Sequence, residues 1–308
     1  MVIDATKMKS LGDRFAEEEV RGRSPWADAR KRFAHNKAAV AGLIVLILIG
    51  LFAMFGNYLA AWSNEELDFA VMGQVAELGR PSFASGHYFG TDDLGRDLFA
   101  RTVQGTRISL MVGIVGSAIA VIAGTLYGAT AGYVGGRIDN IMMRTVDILM
   151  SIPYMFVLIL LLVIFGRSIT MLFVGIGLIS WLDMSRIVRG QTLSLKHKEF
   201  IEAAQATGVP TFTIIRRHIV PNLLGVVAVY ATLLVPLMIL TESFISVLGL
   251  GVQEPLTSWG ALISEGAGTI NYGTLWQLAF PLFFFVITLF AFFFVGDGLR
   301  DALDPKDR

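Results

Sequence analysis

The chain has 308 residues, 54% of them apolar and only 16% charged, with a mean hydropathy of +0.64. Ordinary soluble domains are about one quarter charged, so this composition points away from a soluble globular chain and toward a membrane protein with several spans. Lys and Arg number 25, as do Asp and Glu, so the basic excess of a nucleic-acid binder is missing; the absence of cysteine excludes disulfides, thiolate metal sites, iron–sulfur clusters and thiol catalysis.

Residues 1–37 are polar and read as a tail. Within it, 24–36 predicts a short interfacial helix. Ser24 suits its cap and Pro25 its first turn, Trp26, Ala29 and Phe33 share a face, and Arg30, Lys31 and Arg32 face the lipid head groups. It serves as a membrane-surface anchor or, alternatively, as a docking helix for a partner. The first apolar run, 38–62, is too long for the h-region of a signal peptide, so it is expected to stay in the mature chain as a transmembrane helix. Further apolar runs at 108–131, 146–166, 170–190, 223–249 and 277–296 complete six spans, each near the ~20 residues needed to cross the hydrocarbon core. The third and fourth form a tight hairpin about Gly166–Ile169.

Between the first and second spans lies a large polar loop, 63–107, with an acidic stretch at Glu65, Glu66, Asp68 and Glu77. Toward its end Thr91 looks like a helix cap, with Asp92 and Asp93 in the first turn, where they favour the helix dipole. His87, Asp92, Asp93 and Asp97 raise the thought of a metal site, but neither an EF-hand spacing nor a His pair is present, and no metal is expected. With the N-terminus inside, 20 Lys and Arg residues fall on the inner side and five on the outer side. That imbalance predicts both termini in the cytoplasm and the 63–107 loop outside.

No lysine follows a glycine, so a P-loop is absent and the chain is not expected to bind ATP by that route. No catalytic constellation stands out either, and a transport subunit is expected rather than an enzyme. The inner loop between spans four and five, 196–222, is distinctive. Residues 199–207 are helix formers, Gly208 suits the left-handed position that ends a helix, Pro210 suits the first turn of another, and Pro221 marks entry to the fifth span. Two short helices at an angle are predicted, with Ala203 and Ala204 as a small-residue patch open to another surface. The bland alternative is an ordinary solvated connection.

Glu202-Ala203-Ala204, Gly208 and His218-Ile219-Val220-Pro221-Asn222 resemble the EAA loop of ABC importer permeases, in the form found in the peptide and nickel branch. The likeness continues in Phe89-Gly90-Thr91-Asp92-Asp93-Leu94-Gly95-Arg96-Asp97, Ala131-Gly132-Tyr133, Trp181 with Arg186 and Arg189, Leu248-Gly249-Leu250-Gly251 and Ser258-Trp259-Gly260. It covers about 21–308 and is most similar to C-type inner-membrane subunits of oligopeptide importers. The resemblance implies an all-α type I permease fold with a core over 108–296, in the bacterial inner membrane. It implies a B-type permease partner, two ATP-binding subunits that use ATP and Mg, and a periplasmic oligopeptide-binding protein docking near 85–107 and 251–276. Glu199, Phe200, Glu202, Ala203, Ala204, Gly208, Arg217, His218 and Pro221 are then the ATPase-coupling loop. The same machine carrying dipeptides, nickel chelates or haem is the alternative, and an ATP-independent secondary transporter or channel is the alternative of another class.

Inside the membrane, Gly124, Gly128 and Gly132 recur every four residues and predict a close helix–helix contact. Pro153, Pro236 and Pro281 permit kinks. Glu242, a carboxylate in the outer half of span five, is expected to line the translocation route or its outer gate, the alternative being a structural partner of a backbone group or a neighbouring helix. Asp147 and Asp183 lie near the inner boundary and are read as interfacial or locally paired carboxylates. The phenylalanines between Phe280 and Phe294 are read as lipid-facing or packing residues.

Overall fold

The structure is a computed structural model that describes residues 25–303. Ser24, the side chain of Trp26 and the tail from Asp304 lie outside the described residues. Helix α1 (Pro25–His35) turns at Asn36 into α2 (Lys37–Phe55), and Gly56–Tyr58 adds a 3-10 turn. Asn36 caps α2, its side-chain oxygen accepting from the Ala39 amide at 3.1 Å. Residues 59–62, expected within the first span, leave the helix. Trp62 instead donates to the Ser85 carbonyl at 2.9 Å and stacks on His87.

A short α3 (Val75–Leu78) interrupts the loop after the first span, and α4 (Leu98–Val134) follows. This helix starts at Leu98, well before the expected 108. Asp97, not Thr91, caps it, accepting from the Ala100 amide at 2.8 Å. Thr91 instead pairs with Asp97 in an isolated antiparallel bridge, so Asp92 and Asp93 belong to a turn ahead of the helix. The reason is competition: Asp97 is followed by an uninterrupted run of helix formers, whereas Gly95 at φ 78° breaks any helix begun at Thr91.

The third span is not one straight helix. Helix α5 (Gly136–Met150) and α6 (Tyr154–Phe165) meet at a bend of 76°. Pro153 causes it, because its ring excludes Ile152 from helical geometry and it has no amide to donate. Alone, α6 is too short to cross, since its 12 residues span about 18 Å of a ~30 Å core. Gly166, at φ 94°, turns the chain and Ser168 caps α7 (Ile169–Leu195), so the hairpin is as expected. Helix α8 (Glu199–Ala206) leads to α9 (Thr211–Ile214), which runs through a π-turn at Ile215–Ile219 into α10 (Val220–Val247). Among the described residues, five helices are long and apolar enough to cross a membrane, or six with the bent pair as one span.

Helix α4 is the central post. Against α7, a Cβ at Gly124 would stand 2.6 Å from the Met184 Cβ. At Gly132 it would stand 2.9 Å from the Arg189 carbonyl oxygen, and at Gly128 it would run into the Ser185 carbonyl. Backbones approach this closely only where side chains are absent. Gly177 on α7 repeats the device against Ile119 of α4.

The segment 251–276 is not a plain loop. Ser258 caps α11 (Trp259–Thr269), which folds into the body. Trp259 is fully buried, its indole donating to the Thr106 hydroxyl at 3.0 Å and its amide to the Ser109 hydroxyl at 3.1 Å. Helix α12 (Leu275–Leu303) closes the fold and lies against α2 and α11. Phe284 of α12 stacks on Phe52, and Phe280 on Phe89 at 4.1 Å between centroids, while Phe283, Phe290 and Phe294 are exposed. The phenylalanines therefore divide between packing and the outer surface.

Candidate functional site

The connection between α7 and α10 is built as a clip. Ile201 and Ala204, three residues apart on α8, face inward and join Tyr133, Met184, Val188, Ile214, Ile215 and Ile219 in one buried cluster. Ala204 is therefore a packing residue, and the expected two-alanine patch reduces to Ala203, which is exposed with Glu199, Phe200 and Glu202. Gly208 ends the helix at φ 77°, and the Val209 amide returns to the Ala204 carbonyl at 3.1 Å. The Gln205 side chain donates to the Tyr133 hydroxyl at 3.1 Å and so ties α8 to the end of α4.

The second expected short helix is not separate. From Thr211 to Val247 the helix is continuous, with one widened turn in which the Val220 amide bonds to the Ile215 carbonyl. Pro221 sits just after that turn. It has no amide, and its ring would press on the carbonyl four residues back; the extra residue of the π-turn absorbs that conflict without breaking the helix. Arg217 and Pro221 are exposed, His218 is half-buried, and the Asn222 amide donates to the His218 carbonyl at 2.6 Å. Phe212, not singled out from sequence, is 73% exposed in the same connection. Helix α8 thus presents Phe200 with the Glu199 and Glu202 carboxylates on its exposed side, over a buried base.

Two ion pairs brace the neighbouring elements. Arg189 grips Asp139 through both carboxylate oxygens at 2.5 and 2.6 Å, and Arg186 pairs with Asp147. Asp147 is thus locally paired. Asp183 is exposed and lies on the wall of an apolar cavity of about 900 Å³ between α6, α7 and α10, together with Pro153, Ser180, Leu237, Thr241 and Phe244.

Glu242 faces the opposite side of α10 from that cavity. It is 0% exposed and accepts from the hydroxyls of Ser246 at 2.6 Å, Ser109 at 3.4 Å and Ser243 at 3.5 Å. Ser258 joins the cluster through Ser246 at 3.3 Å. The carboxylate thus bonds to side chains of α4 and α10 and, through Ser246, reaches the start of α11.

The loop before α4 is held to the segment after α10. Asp92 accepts from the Leu94 and Arg96 amides at 2.9 Å each, from Arg96 Nε at 2.6 Å and from Arg101 Nη1 at 2.5 Å. Arg96 continues to Glu254 at 2.8 Å and Arg101 to Glu265 at 2.7 Å. Gln277 and Trp276 both donate to the Thr91 carbonyl, at 3.0 and 3.1 Å. His87 lies between two carboxylates, Asp97 at 2.9 Å and Asp68 at 3.4 Å. Burial pushes the Asp97 carboxyl up from its ordinary value, against the opposing pull of the Ala100 amide and His87. The stretches 85–107 and 251–276, separate in sequence, thus form one surface.

Residues 100–308 match the family described as the binding-protein-dependent transport system inner membrane component. The chain belongs to this family of transport permeases. Residues 24–74 match a second family, the N-terminal TM domain of oligopeptide transport permease C. The oligopeptide transport system permease protein OppC of Escherichia coli strain K12 is 59% identical over 297 residues, 96% of each chain. The protein of the same description from Haemophilus influenzae is 53% identical over 99% of this chain and 96% of its own. The dipeptide transport system permease protein DppC of Bacillus subtilis is 45% identical over 91% of this chain and 86% of its own. In fold, the permease resembles a chain of the inward-facing MetNI methionine ABC transporter, with a TM-score of 0.54 at 18% identity over 65% of this chain and 95% of that one. Membership makes the protein a multi-pass membrane permease subunit and sets aside the self-sufficient carrier.

Proposed function

We propose that this permease is the C-type subunit of an ATP-driven oligopeptide importer of the bacterial inner membrane, with both termini in the cytoplasm. The observation that carries the substrate is the 53% and 59% identity, over nearly the whole chain, to permeases named for oligopeptide transport. A B-type permease completes the pathway, a periplasmic oligopeptide-binding protein delivers the substrate, and two ATP-binding subunits use ATP and Mg. This chain binds no cofactor of its own.

The exposed Glu199, Phe200, Glu202 and Ala203 are the contact to an ATPase subunit. Gly208 sets the angle of their helix, and the buried Ile201 and Ala204 make that helix move with α4 and α7. Closure of the ATPase pair then rocks the bundle between inward- and outward-facing states. The pathway wall is the cavity face of α10, with Leu237, Thr241 and Phe244, and Asp183 stands at its inner end. Glu242 supports that wall from behind. Substituting Gly208 with Val is expected to uncouple ATP hydrolysis from uptake or to prevent ATPase recruitment; normal assembly and normal uptake would overturn the coupling role.

The substrate is tested by uptake in a strain lacking this chain, with and without its restoration, using labelled tetrapeptide, dipeptide and nickel in parallel. Selective loss of the tetrapeptide is the expected result. Loss of dipeptide uptake alone would move the assignment to dipeptides, a reading favoured by the 45% identity to a dipeptide permease.

A further inference from the structure

We propose that Asp183 receives a positively charged amino group of the peptide in transit, so that the permease itself selects for free amines. The inference rests on the importer reading above and names the chemistry of its pathway wall. The cavity between α6, α7 and α10 has a volume of about 900 Å³, and Asp183 is the one charged residue that lines it. That volume lies within the about 300–1,000 Å³ of small-molecule sites, which are mostly apolar with a few placed polar groups. Asp183 stands near the middle of α7, roughly 21 Å from its Ile169 end at ~1.5 Å of rise per residue. A carboxylate within a spanning helix is costly without a partner, and where it faces a cavity it marks the route of a ligand.

Among the described residues, none gives Asp183 a hydrogen bond or an ion pair. Arg186, one turn on, is taken by Asp147. Ser180, one turn back, donates to the Ile176 carbonyl at 3.0 Å, and Thr241 of α10 donates to the Leu237 carbonyl at 2.8 Å. With their hydrogens spent on their own helices, both hydroxyls offer the cavity lone pairs only. The Tyr154 hydroxyl is the remaining oxygen-bearing side chain of the wall, and no basic side chain lines it. A primary ammonium, with one charge and three donors, complements a carboxylate and two acceptor oxygens; a carboxylate or phosphate would be repelled. The rest of the wall is apolar and makes no demand on side-chain identity. An amino terminus suits such a wall, because unmodified peptides of every sequence carry one while their side chains vary. One basic side chain of a second subunit would neutralise Asp183 but leave most of the cavity empty.

The test uses the complete importer in proteoliposomes with its binding protein, each labelled peptide supplied at a concentration that loads the binding protein equally. Tetra-alanine, N-acetyl-tetra-alanine and an N-acetylated tetrapeptide carrying one lysine are compared. Asp183→Asn is expected to lower the ratio of tetra-alanine to N-acetyl-tetra-alanine uptake about tenfold, the scale of one lost hydrogen bond to a charged group. Asp183→Glu keeps the charge and is expected to keep the ratio closer to that of the wild type. Asp183→Ser removes the charge in a second way and gives the same reading should the Asn variant fail to assemble. The lysine peptide separates the two sources of amine: a fall in its uptake as well means that any amine is received, and a fall for tetra-alanine alone means that the amino terminus is. A general defect of folding or coupling lowers all three rates together, and ratios unchanged from the wild type would overturn the inference. So would loss of the B-type permease from the purified complex with unchanged ratios, which would make Asp183 an intersubunit partner. Failure of the wild type to take up tetra-alanine would overturn the importer reading and the inference with it, whereas unchanged ratios beside normal wild-type uptake overturn the inference alone.

Discussion

Arg96 and Arg101 are close in sequence and share Asp92, yet their environments differ. Arg101 is 3% exposed and holds both Asp92 and Glu265, whereas Arg96 reaches Glu254, whose side chain is 60% exposed. Removing Arg101 takes one of two cations from the buried Asp92, which keeps Arg96 and two backbone amides, so the cost falls below that of a buried pair broken outright, about 3–5 kcal/mol. The exposed contact from Arg96 to Glu254 is worth about 0–1 kcal/mol. Arg101→Met is therefore expected to lower the thermal midpoint of the purified permease more than Glu254→Gln does. Equal shifts would mean that the outer network is not what fixes the start of α4. Glu242 obeys the same logic: Glu242→Gln keeps an acceptor for Ser246, while Glu242→Leu leaves hydroxyls without one, at about 1–3 kcal/mol for each buried group stranded. A thermal melt that ranks Leu well below Gln supports a structural role, and uptake by Glu242→Gln at the wild-type rate would remove Glu242 from the pathway.

At the scale of the element, the contact of α4 with α7 decides the architecture. Gly128 meets the Ser185 backbone carbonyl, which cannot yield as a flexible side chain would. Gly128→Val is expected to destabilise the permease by about 1–3 kcal/mol through overpacking. Gly190 of α7 has open space where a Cβ would stand, so Gly190→Ala is expected to be neutral or slightly stabilising. Similar losses from both would show that packing against backbone is not the source of the effect. The four-residue glycine spacing made this contact legible in sequence, as did the turn at Gly166 and the helix end at Gly208, because each depends on chemistry local to a few residues. The start of α4 was not legible: Thr91 and Asp97 both suit a cap, and the choice between them rests on Gly95 and on a bridge formed across the loop. The fold of α11 was hidden for a similar reason. Its buried Trp259 is explained only by Thr106 and Ser109, about 150 residues earlier in the chain. The break at Pro153 left a mark in sequence, but a proline kink and a proline break carry the same letter, and the 76° bend is set by what surrounds it.

For the whole molecule, the arrangement separates rigidity from contact. The connection between α7 and α10 is anchored by a buried cluster that includes residues of α4, α7, α8 and α10, yet it leaves Glu199, Phe200, Glu202 and Ala203 exposed. The stretches 85–107 and 251–277 are likewise cross-braced. A force applied to α8 therefore reaches α4 and α7 directly through Ile201, Ala204 and Gln205, without first deforming the loop. Substitution of the exposed residues should spare the fold and remove the function. Phe200→Ala with Glu202→Lys is expected to change stability by no more than about 0.5 kcal/mol per site, the usual range for surface positions. The same variant is expected to co-purify with markedly less of its ATPase subunits and to lose peptide uptake in proportion. Ile201→Ala makes the opposite comparison, since loss of a buried isoleucine costs about 2–5 kcal/mol and weakens the anchor while leaving the contact residues in place. If the exposed pair melted the permease as much as Ile201→Ala, or if ATPase recruitment survived it, α8 would be a structural brace and the machine would be coupled elsewhere.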